Sequence, residues 1–191
     1  MLRELRIALK MLLVMTLITG VIYPLAVTAI ARVAFPHQAS GSLIMRDGRV
    51  VGSELVGRSF TSPGYFQGRP SATATPYDAS ASGGSNLGPL NPALADRVKA
   101  RIAEIRASDP GVSKVPVDLV TTSGSGLDPH ISPAAAELQV PRVARTRGRS
   151  EDEIRRLVET ATEHPTFGIL GEPRVNVLRL NLALDEGTSR P

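Results

Sequence analysis

MLLVMTLITGVIYPLAVTAIA, Met11 to Ala31, is a run of 21 residues without Asp, Glu, Lys, Arg or His. As a helix rising about 1.5 Å per residue it covers about 31 Å, close to the ~30 Å hydrocarbon thickness of a bilayer. Arg3, Arg6 and Lys10 precede the run against the single acid Glu4, and after Arg32 no charge follows until Arg46. By the positive-inside rule this asymmetry predicts a cytoplasmic segment 1–10, a transmembrane helix 11–31 and an extracytoplasmic region 32–191. A cleaved signal peptide is the competing reading, because Ala29-Ile30-Ala31 has the small-x-small form of a cleavage site. A signal core usually runs about 7–15 residues, however, and the apolar character here resumes after Tyr23-Pro24, which favours a retained anchor.

Thr16, Gly20, Pro24 and Thr28 recur every four residues and form a slowly drifting stripe of small or backbone-exposing positions. Helices in lipid associate by close approach at such residues, so the stripe is a candidate docking face for a partner's helices. A lone span without an ionisable residue cannot line an ion pathway by itself.

The 160 residues after Ala31 suffice for one domain with a core. With 17 Gly and 15 Pro the chain is loop-rich without being disordered or collagen-like. The absence of Cys excludes disulfides, thiol nucleophiles, Cys-bound metals and a lipoprotein anchor, and His37, His130 and His164 lie too far apart for a metal motif. Seven aromatics and no Trp argue against nucleic-acid stacking, and a net charge of +4 is a weak sign of a polyanion partner. The fold class expected is α+β, one membrane helix followed by a single mixed helix/strand domain.

Within that domain, Leu43–Met45 and Val50–Val51 flank Arg46-Asp47-Gly48-Arg49 and predict a hairpin near 42–53. Phe60–Pro89 is rich in Gly, Pro, Ser, Thr and Ala without a sustained period, the mark of a long functional or disordered loop. Asn91-Pro92 opens a helix with Leu94, Val98, Ile102 and Ile105 on one face, and Asp109-Pro110-Gly111 stops it. Val117–Thr121 is a strand candidate, and Ser132-Pro133 starts an Ala-rich helix expected to end at Pro141. Ser150 and Glu153 form a capping box ahead of Ile154, Leu157, Val158 and Ala161. Val175–Leu182 reads as a strand that changes phase between Val177 and Leu178, and Glu186–Pro191 as a frayed end.

Motifs with chemistry are few. Gly124-Ser125-Gly126 near Asp128 and His130 raises a membrane-tethered or secreted serine hydrolase as the alternative function. Ser123 and Leu127 stand where a nucleophile elbow needs glycines, and a triad is assembled across a fold rather than within six residues. Ser82-Gly83-Gly84-Ser85-Asn86 is similar to the Ser-Gly-Gly signature of ABC transporters and lacks the Gly-Lys-Ser/Thr of a P-loop. Arg142, Arg145, Arg147 and Arg149, followed by Glu151, Asp152 and Glu153, suggest a solvated charged face or a contact with acidic lipid headgroups. No residue emerges as catalytic.

Read in order, seven blocks carry a resemblance. They are Thr19-Gly20-Val21-Ile22-Tyr23-Pro24-Leu25, Gly41-Ser42-Leu43-Ile44, Tyr65-Phe66-Gln67-Gly68-Arg69-Pro70-Ser71-Ala72 and Ala81-Ser82-Gly83-Gly84-Ser85-Asn86-Leu87. Leu119-Val120-Thr121 leads on through Ser125-Gly126-Leu127-Asp128-Pro129-His130-Ile131, before Gln139-Val140-Pro141-Arg142-Val143-Ala144 and Gly171-Glu172-Pro173-Arg174-Val175-Asn176-Val177. Over nearly its full length the chain resembles the C subunit of the Kdp potassium-transporting ATPase; Arg145–Arg149 and the tail after Leu184 are less family-like. The resemblance implies a single-pass bacterial inner-membrane subunit beside a potassium-conducting subunit and a P-type ATPase subunit. Those partners carry the potassium pathway and the phosphorylated aspartate. It also implies a role in assembling the complex and a catalytic-chaperone effect on ATP affinity, with ATP as the ligand of the ATPase subunit and potassium as the transported ion. An extracytoplasmic domain cannot touch cytoplasmic ATP, so such an effect would be a coupling carried through the membrane helices. Outside the membrane, Arg69, Ser82, Gly83, Gly84, Asn86, Asp128 and His130, on the Phe60–Pro89 and Thr121–Ser132 loops, are the expected docking residues.

Overall fold

The computed structural model describes residues 1–188. By its internal contacts the chain divides into two compact units, Met1–Val51 and Gly52–Pro191.

The first unit is dominated by one continuous helix over Leu2–Ala34, long and apolar enough to cross a membrane. It comprises α1 (Leu2–Leu17), a π turn over Ile18–Ile22 and α2 (Tyr23–Ala34). Pro24 explains the wide turn: it has no N–H to give Gly20 O, and a π register absorbs the missing bond without breaking the helix. The Thr19 hydroxyl satisfies another backbone oxygen, donating to Met15 O at 2.7 Å. No residue of this helix is buried. Such an apolar surface is costly in water and suited to lipid or to other apolar helices. After the short α3 (Pro36–Ala39) comes the expected hairpin of β1 (Leu43–Arg46) and β2 (Arg49–Ser53). Asp47 and Gly48 both take positive φ, 51° and 72°, as a two-residue type I′ turn requires.

In the second unit residues 57–91 form neither helix nor strand, in keeping with the composition of that stretch. Next comes α4 (Pro92–Ser108), capped as expected by Asn91, whose side chain accepts the Ala93 N–H. Val117–Thr121 is not a strand: Val117–Leu119 is a single 3-10 turn. Pro116 opens it and Thr121 closes it by donating its hydroxyl to Val117 O at 2.7 Å.

β3 (His130–Ile131) leads into α5 (Pro133–Arg147), which Pro141 does not end. Losing one helical hydrogen bond there is offset by burial of Gln139, Val140, Val143 and Ala144 on either side. The helix stops at Gly148, whose φ of 64° is the left-handed cap that favours glycine. α6 (Glu151–Ala161) begins on the Ser150 cap, which accepts the Glu153 N–H at 3.2 Å. The Glu153 carboxylate bonds Arg149 at 2.8 Å instead of returning to Ser150, so only half of the capping box forms.

Val175–Leu182 is also not one strand. β5 covers Arg174–Asn176, and α7 (Val177–Thr188) begins at once. The phase change between Val177 and Leu178 marks this strand-to-helix switch, with Val177, Asn181 and Leu184 spaced along one buried helical face. Glu186–Thr188 belongs to α7 and is not frayed, and 189–191 lie outside the described residues. β5 is the centre of a three-stranded antiparallel sheet between β3 and β4 (Thr162–Glu163), pairing Val175 with both Ile131 and Thr162. Helices α5, α6 and α7 bury Val140, Val143, Ile154, Val158, Leu180 and Leu184 into one core with Val175, Ile131, Leu119 and Phe66.

Candidate functional site

The irregular stretch is a set of loops held in fixed shape by buried polar side chains, and its residues converge on one face. Residues 63–68 form a ribbon over the core that begins in a turn, where Tyr65 N–H donates to Ser62 O at 3.1 Å. Asn181, on α7, accepts the Phe66 N–H and donates to Phe66 O, both at 2.9 Å. Gln139, on α5, does the same for Gln67, accepting its N–H at 2.8 Å and donating to its O at 3.1 Å. Two amides thus take the place of a neighbouring strand, which is how a loop can be buried without orphaned backbone groups.

The arginine cluster completes this grip and is not a solvated face. Arg142 is buried, bonding Pro63 O, Tyr65 O at 3.1 Å and Gln139 Oε1 at 2.7 Å. Burial pushes its pKa down from the usual arginine value, with Asp109 opposing that shift. Arg147 lies 4.5 Å over the Tyr65 ring, donates to Gly64 O at 2.8 Å and pairs with Asp185 at 2.9 Å. Arg149 pairs with Glu153, and Arg145 is exposed. This is also the part missed in the sequence: Gln139, Asn181 and Tyr77 hold the site, and a single polar residue in an apolar helix face was the only sign of the first two.

Beyond the ribbon, three loops are clasped together. Gly83 N–H donates to Ser125 O at 2.8 Å, and the Ser71 hydroxyl to Gly126 O at 2.7 Å. Gly126 has φ of 69°, and a Cβ there would stand 2.6 Å from Gly83 O, so glycine is required by both conformation and space. Ser71 Oγ also accepts the Tyr77 N–H at 3.0 Å, and the Tyr77 hydroxyl donates to Arg69 O at 2.5 Å. Burial, and then the Asp128 charge, push the Tyr77 pKa up to about 12, keeping it a donor. The Ser82-Gly83-Gly84 loop is therefore engaged with the Ser-Gly-Ser-Gly loop, while Ser82 and Asn86 remain exposed.

Of the expected docking residues, the structure brings Arg69, Asp128 and His130 into one cluster. Arg69 reaches Asp128 at 3.3 Å and Thr122 O at 3.3 Å, and the His130 ring lies 3.1 Å from the other Asp128 oxygen. Burial works against the Asp128 charge, but the His130 ring and backbone N–H and the Arg69 guanidinium outweigh it, and its pKa falls below the ordinary carboxylate value. Arg69 forms a wall between two open clefts of about 540 and 620 Å³, and its Nε is buried without a hydrogen-bond partner. Asp128 and His130 line the first cleft with Asp118 and Arg174; Arg58, Arg101 and Tyr77 line the second.

This arrangement does not make a hydrolase. Ser125 Oγ bonds Ser123 Oγ at 3.4 Å and the Leu127 N–H at 3.2 Å, while Asp128 pairs with Arg69, and among the described residues no serine is seen bonded to the His130 ring. Among the described residues no three His, Asp or Glu side chains group as metal ligands. The geometry is that of a mixed-charge surface whose loops are held by the bonds above. On the apolar helix, Thr16 and Gly20 are neighbours, since a Cβ on Gly20 would sit 3.8 Å from Thr16 Cγ2. Pro24 and Thr28 follow beyond the π turn, exposed like the other two.

Comparison with known proteins shows the family of the chain. Residues 5–186 match the family described as KdpC, the c chain of the K+-transporting ATPase. The chain is 65% identical over 183 residues to the potassium-transporting ATPase KdpC subunit of Polaromonas naphthalenivorans, covering 95% of this chain and 93% of that one. To the protein of the same name in Sorangium cellulosum it is 66% identical over 187 residues, 97% of this chain and 98% of the relative. The Methylococcus capsulatus protein, again so named, is 60% identical over 187 residues, with the same coverage. These relatives are named as a subunit of the ATPase complex, and potassium is the ion which that complex transports. With a matched span reaching from the apolar helix to α7, the chain belongs to the KdpC family of K+-transporting ATPase subunits.

Proposed function

We propose that this chain is a non-catalytic accessory subunit that assembles and stabilises an ATP-driven potassium importer in the bacterial inner membrane. The observation that carries the reading is the uncharged helix of residues 11–31, with Arg3, Arg6 and Lys10 on its N-terminal side against Arg32 alone on the other. The positive-inside rule then gives a cytoplasmic segment 1–10, a single crossing, and a domain of residues 32–191 on the outer side. Thr16, Gly20, Pro24 and Thr28 face helices of the partners within the bilayer, among its lipids. Arg69, Asp128 and His130, with Ser82, Gly83, Gly84 and Asn86 of the neighbouring loop, meet the outer face of the potassium-conducting subunit. The clasped loops support this role, because a preorganised surface loses little entropy on docking.

The partners are the potassium-conducting subunit and the P-type ATPase subunit, and the ATP belongs to the latter. A rise in that subunit's ATP affinity is a coupling free energy transmitted through packed membrane helices, reciprocal by linkage, with no nucleotide contact from this chain. The test uses the Cys-free background. Single cysteines at Arg3 and at exposed Ser80 are treated with a membrane-impermeant maleimide in intact spheroplasts; Ser80→Cys reacts and Arg3→Cys does not. The complex is then purified with and without this chain and its ATPase activity titrated with ATP. Undiminished co-purification of the other subunits without this chain would refute the assembly role, and an unchanged dependence on ATP would refute the chaperone role.

A further inference from the structure

The segment joining β4 to β5 ends in a tight apolar tip. Thr166 and Leu170 exchange both backbone hydrogen bonds, at 2.9 and 3.0 Å, and Gly168 N–H donates to Pro165 O at 2.9 Å. Phe167 and Gly168, between them, have φ of 56° and 75°. Two successive left-handed residues are the type I′ form, whose centre favours Asn, Asp or Gly. A bulky aromatic at the first position is strained. Yet Phe167 is 87% exposed, Ile169 81% and Leu170 58%, so burial within the described residues does not repay the strain. The tip is tightly hydrogen-bonded, exposed and apolar, which is the opposite of an ordinary solvated turn.

We propose that Phe167, Ile169 and Leu170 form a knob that seats in an apolar socket on another protein subunit of the ATPase, a reading that rests on the accessory-subunit role above. Charge decides against lipid. Residues 164–171 contain no Lys, Arg, Asp or Glu, and Glu163 and Glu172 flank them. The nearest cation, Arg174, is paired with Glu163 at 2.9 Å. A tip meant for an anionic membrane surface carries unpaired cations, and Glu172 would be repelled there. Area decides against a second copy. Three side chains expose far less than the roughly 800 Å² per partner of a free-standing interface. A small anchor suffices where a membrane helix already holds the chain beside its partner, since tethering supplies the effective concentration.

The test places photoreactive p-benzoylphenylalanine at position 167 of the full chain, in membranes containing the whole complex, and pairs it with Phe167→Asn. Asparagine accepts the left-handed conformation, so this variant keeps the turn and removes only the knob. Irradiation should cross-link position 167 to one of the larger subunits. The variant should melt at or above the temperature of the unaltered chain in detergent, while the ATPase retained on it after dilution falls about tenfold, as expected for one interface hot spot. Cross-links confined to lipid or to a second copy, no cross-link at all, a lowered melting temperature, or undiminished retention would each overturn the knob. In all of those cases the unaltered chain would still retain the ATPase; if it does not, the accessory-subunit reading has failed first.

Discussion

Asn181 grips the backbone of Phe66 from both sides, accepting its N–H and donating to its C=O at 2.9 Å each, although the two residues are 115 positions apart. Both are buried to within about a hundredth of full enclosure, Phe66 at 0% and Asn181 at 1% exposure. A leucine at 181 is close in volume but leaves two buried peptide groups unpaired. Each such group costs about 1–3 kcal/mol, so Asn181→Leu should destabilise the domain by about 2–6 kcal/mol. Urea denaturation of the detergent-solubilised chain, followed by circular dichroism, checks this. A change within experimental scatter would mean that the ribbon does not depend on the amide.

Gly126 and Gly83 lie on opposite sides of one clasp and should respond differently to the same change. A methyl group on Gly126 meets Gly83 O at 2.6 Å with φ at 69°, whereas one on Gly83 meets nothing within 4 Å. Gly126→Ala is expected to cost about 1–3 kcal/mol through backbone strain and loop displacement. Gly83→Ala should stay within about 0.5 kcal/mol, as surface substitutions usually do. Thermal unfolding of the two variants side by side decides it.

Elements whose stops and starts rest on local chemistry were readable in the sequence. Asp47-Gly48 supplied the turn, Asn91-Pro92 the cap of α4, and Ser150 the cap of α6, because each acts on its own neighbours. Elements decided by long-range packing were not. Pro141 sits inside α5 because the core on both sides of it outweighs one lost hydrogen bond. The β-branched and leucine-rich run from Val175 fits a strand by propensity, but Asn176 turns it into a helix by accepting the Arg179 N–H at 3.1 Å while donating to Glu54 O at 2.9 Å. The site shows the same division. Arg69, Asp128 and His130 are expected docking residues through the family resemblance, yet their meeting depends on loops 59 positions apart. Arg142 and Arg147 read as a charged face because a sequence gives no sign of the carbonyls that wait for them.

Asp128 should govern the acid limb of stability. Its pKa is depressed in the folded chain, so the unfolded chain binds the proton more readily and stability falls as pH drops through the carboxylate range. The contribution is whole above the unfolded value and lost below the folded one. Asp128→Asn should flatten the dependence of the melting temperature on pH between about 5 and 3 relative to the unaltered chain. The acid limb would have to be assigned to other carboxylates if the two profiles ran parallel.

Tyr77 sets a complementary alkaline limb. Its pKa stands at about 12 against an ordinary 10.0, so the folded state holds the proton more tightly and loses stability as pH rises between these two values. Tyr77→Phe removes both the titration and the bond to Arg69 O. It should lower stability at neutral pH by about 1 kcal/mol and show less further loss at high pH. Spectrophotometric titration of tyrosinate absorbance, compared between the unaltered chain and Tyr77→Phe, checks the assignment directly, since the difference should report a phenol that ionises above the ordinary value.

Arg147 joins two kinds of attraction, stacking 4.5 Å over Tyr65 and pairing with Asp185 at 2.9 Å. Its side chain is 14% exposed, so water competes poorly for either contact. Lysine keeps the charge but loses the planar fork that can face a ring and a carboxylate together. Arg147→Lys is therefore expected to lose most of the stability that Arg147→Ala loses. A double-mutant cycle of Arg147→Lys with Tyr65→Leu should return a coupling of about 0.5–2 kcal/mol, the range of a partly desolvated cation–π contact. If the coupling were near zero, the guanidinium would be held by Gly64 O and Asp185 alone, and the ring would serve only as apolar cover for Phe60, whose own ring lies 5.4 Å from it.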